Sequence, residues 1–203
     1  MAGSLSRKYR NSSWRSFDPD APRPGETAAV PLAARCRVLG LDPGSLRTGF
    51  GIIDCDGPDQ RYVTAGCIRT QGATVSERLR HIYSGLVELV ETHRPDEIAI
   101  ERVFLHRNPD SALKLGQARG VAMCAATLLG APLFEYAPRA IKLALVGTGG
   151  AEKQQVAHMV KAILAFDEAL GLDATDALAV GLCHGQSRRL NLLTAGALGS
   201  VPA

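Results

Sequence analysis

Three short apolar or β-branched runs, Arg37–Leu41, Gly49–Ile53 and Tyr62–Ile68, follow one another with only turn residues between them. Connections this short leave no room for a crossover, so the runs predict an antiparallel meander. After it the period changes. Thr74-Val75-Ser76-Glu77 is a capping box, and Leu79, Ile82, Leu86, Leu89 and Val90 then recur at helical spacing until His93-Arg94-Pro95 stops them. Glu97–Glu101 reads as a fourth strand, Asp110–Leu129 as a helix ended by Gly130, and Pro132–Tyr136 as a fifth strand. Helical stretches over Arg139–Val146, Lys153–Ala165 and Ala174–Cys183 complete the pattern. Gly147-Thr148-Gly149-Gly150 lacks the Lys-Ser/Thr of a phosphate loop and reads as a connector. The order predicts an α/β domain with a five-stranded mixed sheet flanked by helices.

The chain divides into three parts on composition. Residues 1–35 are rich in Ser, Arg and Pro without apolar periodicity, and predict a disordered N-terminal extension. The folded domain is expected over 36–186, with 187–203 as a flexible C-terminal tail. The first 17 residues lack acids, a loose likeness to a transit peptide, but contain no secretory apolar core. No apolar run approaches the ~18 residues that span a bilayer, so no membrane association is expected. Five scattered cysteines, with no Cys-x-x-Cys pair, argue against a zinc site and a disulfide framework. A reducing, cytoplasmic location follows as the expectation. The net charge of +3 does not announce a nucleic-acid binder. Six Lys/Arg and three acids lie in residues 1–35, which leaves 17 of each in the remainder.

Four acids stand out by position. Asp42 ends the first strand directly before Pro43-Gly44, and Glu101 ends the fourth. Asp173 and Asp176 lie three apart at a helix start, on one helical face. Each has an ordinary explanation alone: a turn residue, a solvated strand end, a helix cap with an acid in the first turn. Together they are less ordinary, because α/β sites gather beyond the carboxyl ends of strands. Clustered carboxylates repel one another unless cations lie between them. Oxygen donors without a His/Cys cluster favour Mg²⁺ or Mn²⁺. Two such ions about 4 Å apart suit in-line phosphodiester hydrolysis.

The stretches LGLDPGSLRTGFGII, AIERVF, NPDSALKLGQARGVA, FEYAPRAIK, EKQQVAHMV and DATDALAVG together resemble the RuvC family of Holliday junction resolvases, colinearly over about residues 37–185. The resemblance implies a ribonuclease H-like fold, a homodimer and Mg²⁺-dependent nicking of four-way junction DNA beside the RuvA–RuvB branch-migration complex. Two Mg²⁺ ions per site are expected, with Mn²⁺ able to substitute. The family's catalytic and metal-ligating acids fall on Asp42, Glu101, Asp173 and Asp176. Its DNA-contact lysines fall on Lys142 and Lys153, and its base-stacking aromatic on Phe104. With the four acids set aside, 17 bases of the domain face 13 acids, so a net-basic DNA face can hide in a neutral composition. Two departures from the family pattern concern single residues. Leu46 follows Ser45 where a basic residue is common, and Arg102 follows Glu101 where Gln is common. The long leader is the third.

Further readings are weaker. Asp110–Leu129, with Gly116 and Gly120, is a candidate dimer-contact helix. His158 and His184, isolated on helices, read as structural. Asp42-Pro-Gly-Ser with Thr48-Gly49-x-Gly51 is also similar to the phosphate hairpin of actin-like sugar kinases, which need a second domain that 203 residues do not provide.

Overall fold

The computed structural model describes residues 35–102 and 108–198, with side chains to Asn191. The expected extension over 1–35 lies outside the described residues except for Arg35, and Phe104 lies outside them altogether.

Three antiparallel strands open the domain: β1 (Arg35–Asp42), β2 (Arg47–Asp56) and β3 (Asp59–Arg69). Helix α1 (Val75–His93) returns the chain to β4 (Glu97–Glu101), which pairs parallel to β1. Helix α2 (Pro109–Ala126) leads to β5 (Leu133–Tyr136), parallel to β4. The sheet order is β3-β2-β1-β4-β5, the expected five-stranded mixed sheet. Helices α3 (Pro138–Val146), α4 (Lys153–Leu164) and α5 (Leu172–Leu198) follow.

Local signals act where the residues place them. Thr74 and Glu77 close the capping box on α1, and Arg94 ends the helix in a left-handed conformation (φ 48°) before Pro95. Gly147 ends α3 at φ 79°, so the Gly-Thr-Gly-Gly segment is the α3–α4 connector.

Strand alternation sorts the core into two layers. Leu39, Leu41, Ile52, Ile98 and Ile100 face α1 and α2. Cys36, Val38, Ile53, Cys55 and Ala99 face α3, α4 and α5. Because the side-chain period of a strand is two, Asp42 and Glu101 share the face of the second set. That is the face covered by α5.

One expectation fails here. A flexible tail was expected from 187, whereas α5 continues through Leu198. Burial accounts for the part as far as Arg188. Ala177, Gly181, His184 and Arg188 recur at helical spacing against the sheet, and Arg188 is 4% exposed. Gly185, Ser187 and the Arg188-Arg189 pair disguise that face as a polar tail. The remainder of the expected tail, 199–203, lies outside the described residues.

Candidate active site

Asp42 and Glu101 end parallel neighbours. The β1–β4 register pairs Leu41 with Ile100, so one further residue along each strand sets the two acids side by side. Asp173 and Asp176 come from the first turns of α5, where the helix dipole favours a carboxylate. Asp173 is the second residue of that helix rather than its cap.

Glycine brings α5 down onto the strands. A Cβ on Gly49, the partner of Asp42 across β1–β2, would stand 2.0 Å from the Asp173 carbonyl oxygen. A Cβ on Gly40 would stand 2.2 Å from the Ala177 carbonyl oxygen. Any larger residue at these positions pushes the helix, and both its acids, away from Asp42. Gly49→Ala is therefore expected to cost about 1–3 kcal/mol in urea melts, as overpacking does, and to lower activity beyond that loss. Unchanged stability and activity would show that the close approach is dispensable.

Electrostatics ties the acids together. Burial is the main cause that pushes Asp42 up to about 7, and the charges of Glu101, Asp176 and Asp173 add to it while Lys153 opposes it. Glu101 is also raised, first by burial and then by Asp176, and shares a hydrogen bond with Asp42. Two carboxyl groups can share such a bond only around a proton. The cluster thus carries more negative charge than it can hold unaided.

Cations approach from three elements. Lys153, at the start of α4, donates to Asp176 Oδ2 at 2.7 Å. Arg47 of β2 lies 3.8 Å from Asp173 Oδ2, and the Cys67 thiol of β3 donates to the same oxygen at 3.7 Å. Lys142 and Lys153 line a small cavity of about 70 Å³ with Glu101, Asp176, Pro138 and Ile141. The structure thus brings six of the seven residues singled out in the sequence into one region. The seventh, Phe104, is not among the described residues.

Sequence reasoning missed several supports. Arg119 of α2 donates to the Glu101 carbonyl oxygen at 3.5 Å and to Glu135 at 2.8 Å, while Arg102 lies 3.8 Å from Glu135. The Arg102 amide donates to the Tyr136 carbonyl at 2.7 Å. These contacts pin the end of β4 that carries Glu101. The departure at Arg102 therefore has a structural use, and Arg47, next to Leu46, lies 3.8 Å from Asp173 Oδ2. Periodicity offered no signal for either.

The donor set suits a hard divalent cation, since all four acids offer carboxylate oxygens. Among the described residues no three His, Cys, Asp or Glu side chains already converge at metal-ligand distance. Lys153 holds Asp176 instead.

A mixed sheet in this order, with helices on both faces and acids at the carboxyl edge of its central strands, defines a ribonuclease H-like protein. The family model described as crossover junction endodeoxyribonuclease RuvC matches residues 38–184. A crossover junction endodeoxyribonuclease RuvC of Methylococcus capsulatus is 56% identical over 148 residues, 73% of this chain and 89% of the relative. That of Shewanella frigidimarina is 53% identical over 147 residues, 72% of this chain and 85% of the relative. Among solved structures, T. thermophilus RuvC in complex with Holliday junction substrate superposes with a TM-score of 0.73 at 32% identity, covering 77% of this chain and 97% of that one. The yeast mitochondrial Holliday junction resolvase, 12% identical with a TM-score of 0.56, shares the fold. The chain belongs to the RuvC family of crossover junction endodeoxyribonucleases.

Proposed function

We propose that this protein resolves Holliday junctions in recombination and repair, hydrolysing one phosphodiester in each of two opposing strands. The reading rests on family membership and on one observation: strand parity and the α5 N-terminus gather Asp42, Glu101, Asp173 and Asp176 into one electrostatically coupled cluster.

In this reading the four acids hold two Mg²⁺ ions, with Mn²⁺ as a substitute. Bound there, the ions supply the Lewis acidity that activates a water and stabilises the leaving oxygen. The protein's own groups do the rest. Asp42, at the centre of the cluster, would hold the ions together with Glu101 and the α5 pair. Lys142 and Lys153 contact phosphates, which fix the strand's register and make binding salt-sensitive. Phe104 stacks on an exposed base at the open junction.

A four-way junction has two-fold symmetry, so a homodimer can present two sites to opposing strands. The outer face of α2 supports that arrangement. Its buried face is Ala118, Ala122, Ala125 and Ala126, which leaves Gly116 and Gly120 exposed and Leu113 63% exposed. No described helix is long and apolar enough to cross a membrane, and the five cysteines are free thiols. A cytoplasmic enzyme acting beside the RuvA–RuvB complex on junction DNA fits both.

Comparing cleavage of a four-way junction, an RNA–DNA hybrid and a linear duplex in Mg²⁺ tests the substrate. Paired nicks across the junction, at a rate at least ~10²-fold above the other two, are expected; a hundredfold preference is about 2.7 kcal/mol of transition-state discrimination. Preferred cutting of the hybrid would replace this reading with a general ribonuclease H activity. A junction bound but left intact would leave only a binding protein.

A further inference from the structure

Lys153 occupies the first position of α4, where a positive charge meets the positive end of the helix dipole. Position alone therefore gives no reason for a base there. Its ammonium lies 2.7 Å from Asp176 Oδ2, but the lysine side chain is 73% exposed against 25% for the aspartate. An ion pair this exposed contributes little to folding, typically under ~1 kcal/mol. It also exchanges readily, because the lysine need cross no buried barrier to leave. Lys142 lines the same cavity and forms no ion pair among the described residues. Lys153 alone of the two is committed to an acid.

We propose that Lys153 is an exchangeable counter-ion of the carboxylate cluster: it holds Asp176 until a divalent cation displaces it, and the freed ammonium then takes a DNA phosphate. The proposal rests on the reading of the four acids as cation ligands. The Asp176 oxygen that accepts the lysine proton at 2.7 Å cannot offer the same lone pair to a metal ion. Two cations a few ångströms apart also repel unless the anionic ligands between them are shared. Cation and lysine therefore compete at Asp176, whereas cation and DNA cooperate through the lysine so released. Linkage makes the coupling reciprocal: each ligand raises affinity for the other by one common factor. Before the cation arrives, the cluster repels phosphate and its nearest base is engaged. Afterwards the charge is offset and the base is free. Loading DNA after metal is thus favoured by the same side chain.

Lys153→Gln and Lys153→Arg separate this from a plain phosphate contact. Mn²⁺ affinity of the DNA-free protein is read from thermal shift, and four-way junction affinity is measured with and without Ca²⁺ at constant ionic strength. Lys153→Gln is expected to bind Mn²⁺ about 5-fold or more tightly than wild type, and to lose most of the Ca²⁺-dependent gain in junction affinity. Lys153→Arg, which keeps the charge, is expected to keep the wild-type Mn²⁺ affinity. Unchanged or weaker Mn²⁺ binding by Lys153→Gln would overturn the exchange. So would a loss of junction affinity that is equal with and without Ca²⁺. If wild type itself takes up no Mn²⁺, the reading of the acids fails and the exchange falls with it. If wild type binds Mn²⁺ and cuts junctions while Lys153→Gln binds Mn²⁺ no tighter, only the exchange is lost.

Discussion

Asp42→Asn is expected to bind a four-way junction within a few-fold of wild type and to cut it about 10³-fold more slowly, or less. Lewis-acid stabilisation of developing phosphoryl charge is worth several kcal/mol, and ~4 kcal/mol is a thousandfold in rate. Asp42 is the acid on which the others converge, since Glu101, Asp176 and Asp173 all act on its proton affinity. Asparagine keeps the shape and one oxygen but not the charge. The proposed phosphate contact of Lys142 does not depend on it, and one carboxylate fewer repels phosphate less, so binding should stay within a few-fold even with Lys153 still held by Asp176. Gel-shift and single-turnover cleavage on one synthetic junction measure both quantities. Cleavage within tenfold of wild type would remove Asp42 from the reaction.

The same substitution should stabilise the cation-free protein. A carboxyl group held at about 7 in the fold, against 3.8 for the ordinary group, binds its proton more tightly folded than unfolded. Its contribution is complete below about pH 4 and is lost as pH rises from there to about 7. Above pH 7 the wild type carries a penalty that Asp42→Asn does not, roughly 1–3 kcal/mol. In chelator at pH 8 the variant should melt several degrees above wild type, at roughly 2–4 °C per kcal/mol for a domain of this size. At pH 4 the two should coincide. A divalent cation should raise the wild-type melting temperature and leave the variant nearly unmoved.

Much of the site was legible because strand geometry is arithmetic. Once Arg37–Leu41 and Glu97–Glu101 are strands, alternation puts Asp42 and Glu101 on the face opposite Leu39, Leu41, Ile98 and Ile100. A helix that starts with Asp173 and Asp176 then has one place to bring them. The meander and the βαβ units were legible for a similar reason, since their turns and caps carry strong local signals. Lys142 and Lys153 were legible only through resemblance, because a lysine on a helix surface has no periodic signature.

What escaped the sequence is the far half of α5, and with it the opposite end of the sheet. Its buried face runs through a glycine, a histidine and an arginine, which hydropathy scores as solvent-exposed. Only the tertiary partner explains them. Glu97 begins β4, four residues before Glu101 on the same face, and is itself 7% exposed. His184 Nε2 lies 2.6 Å from Glu97 Oε2, and the Tyr136 hydroxyl lies 2.7 Å from His184 Nδ1. Arg188 Nε donates to both Glu97 oxygens at 3.0 Å. His184 thus links the carboxylate to the tyrosine hydroxyl through its two ring nitrogens. His184 is structural, as its isolation in the sequence suggested, but it is far from idle.

Glu97→Ala should therefore be strongly destabilising, by about 3–5 kcal/mol. Alanine leaves the Arg188 guanidinium, with its side chain 4% exposed, without the carboxylate that justified burying it. It also frees His184 from the group that orients it. At ~2–4 °C per kcal/mol the melting temperature should fall by roughly 6–20 °C. Glu97→Gln, which keeps the volume and an acceptor, should fall between the two. Burial alone would raise the Glu97 carboxyl, but the hydrogen bonds and charges of His184 and Arg188 together outweigh it and hold the group below its ordinary 4.5. Its stabilisation is thus complete above about pH 4.5 and is lost as pH falls from there through the depressed value. Wild type should shed this stability in acid, and Glu97→Ala, having none to shed, should show a flatter acid limb. The network lies at the end of β4 remote from Glu101, so the folded variant, assayed well below its melting temperature, should cut junctions within a few-fold of wild type. A stable Glu97→Ala protein would mean that Arg188 is satisfied without the carboxylate and that the network is dispensable. A stable but inactive one would mean that it reaches the catalytic end of the strand.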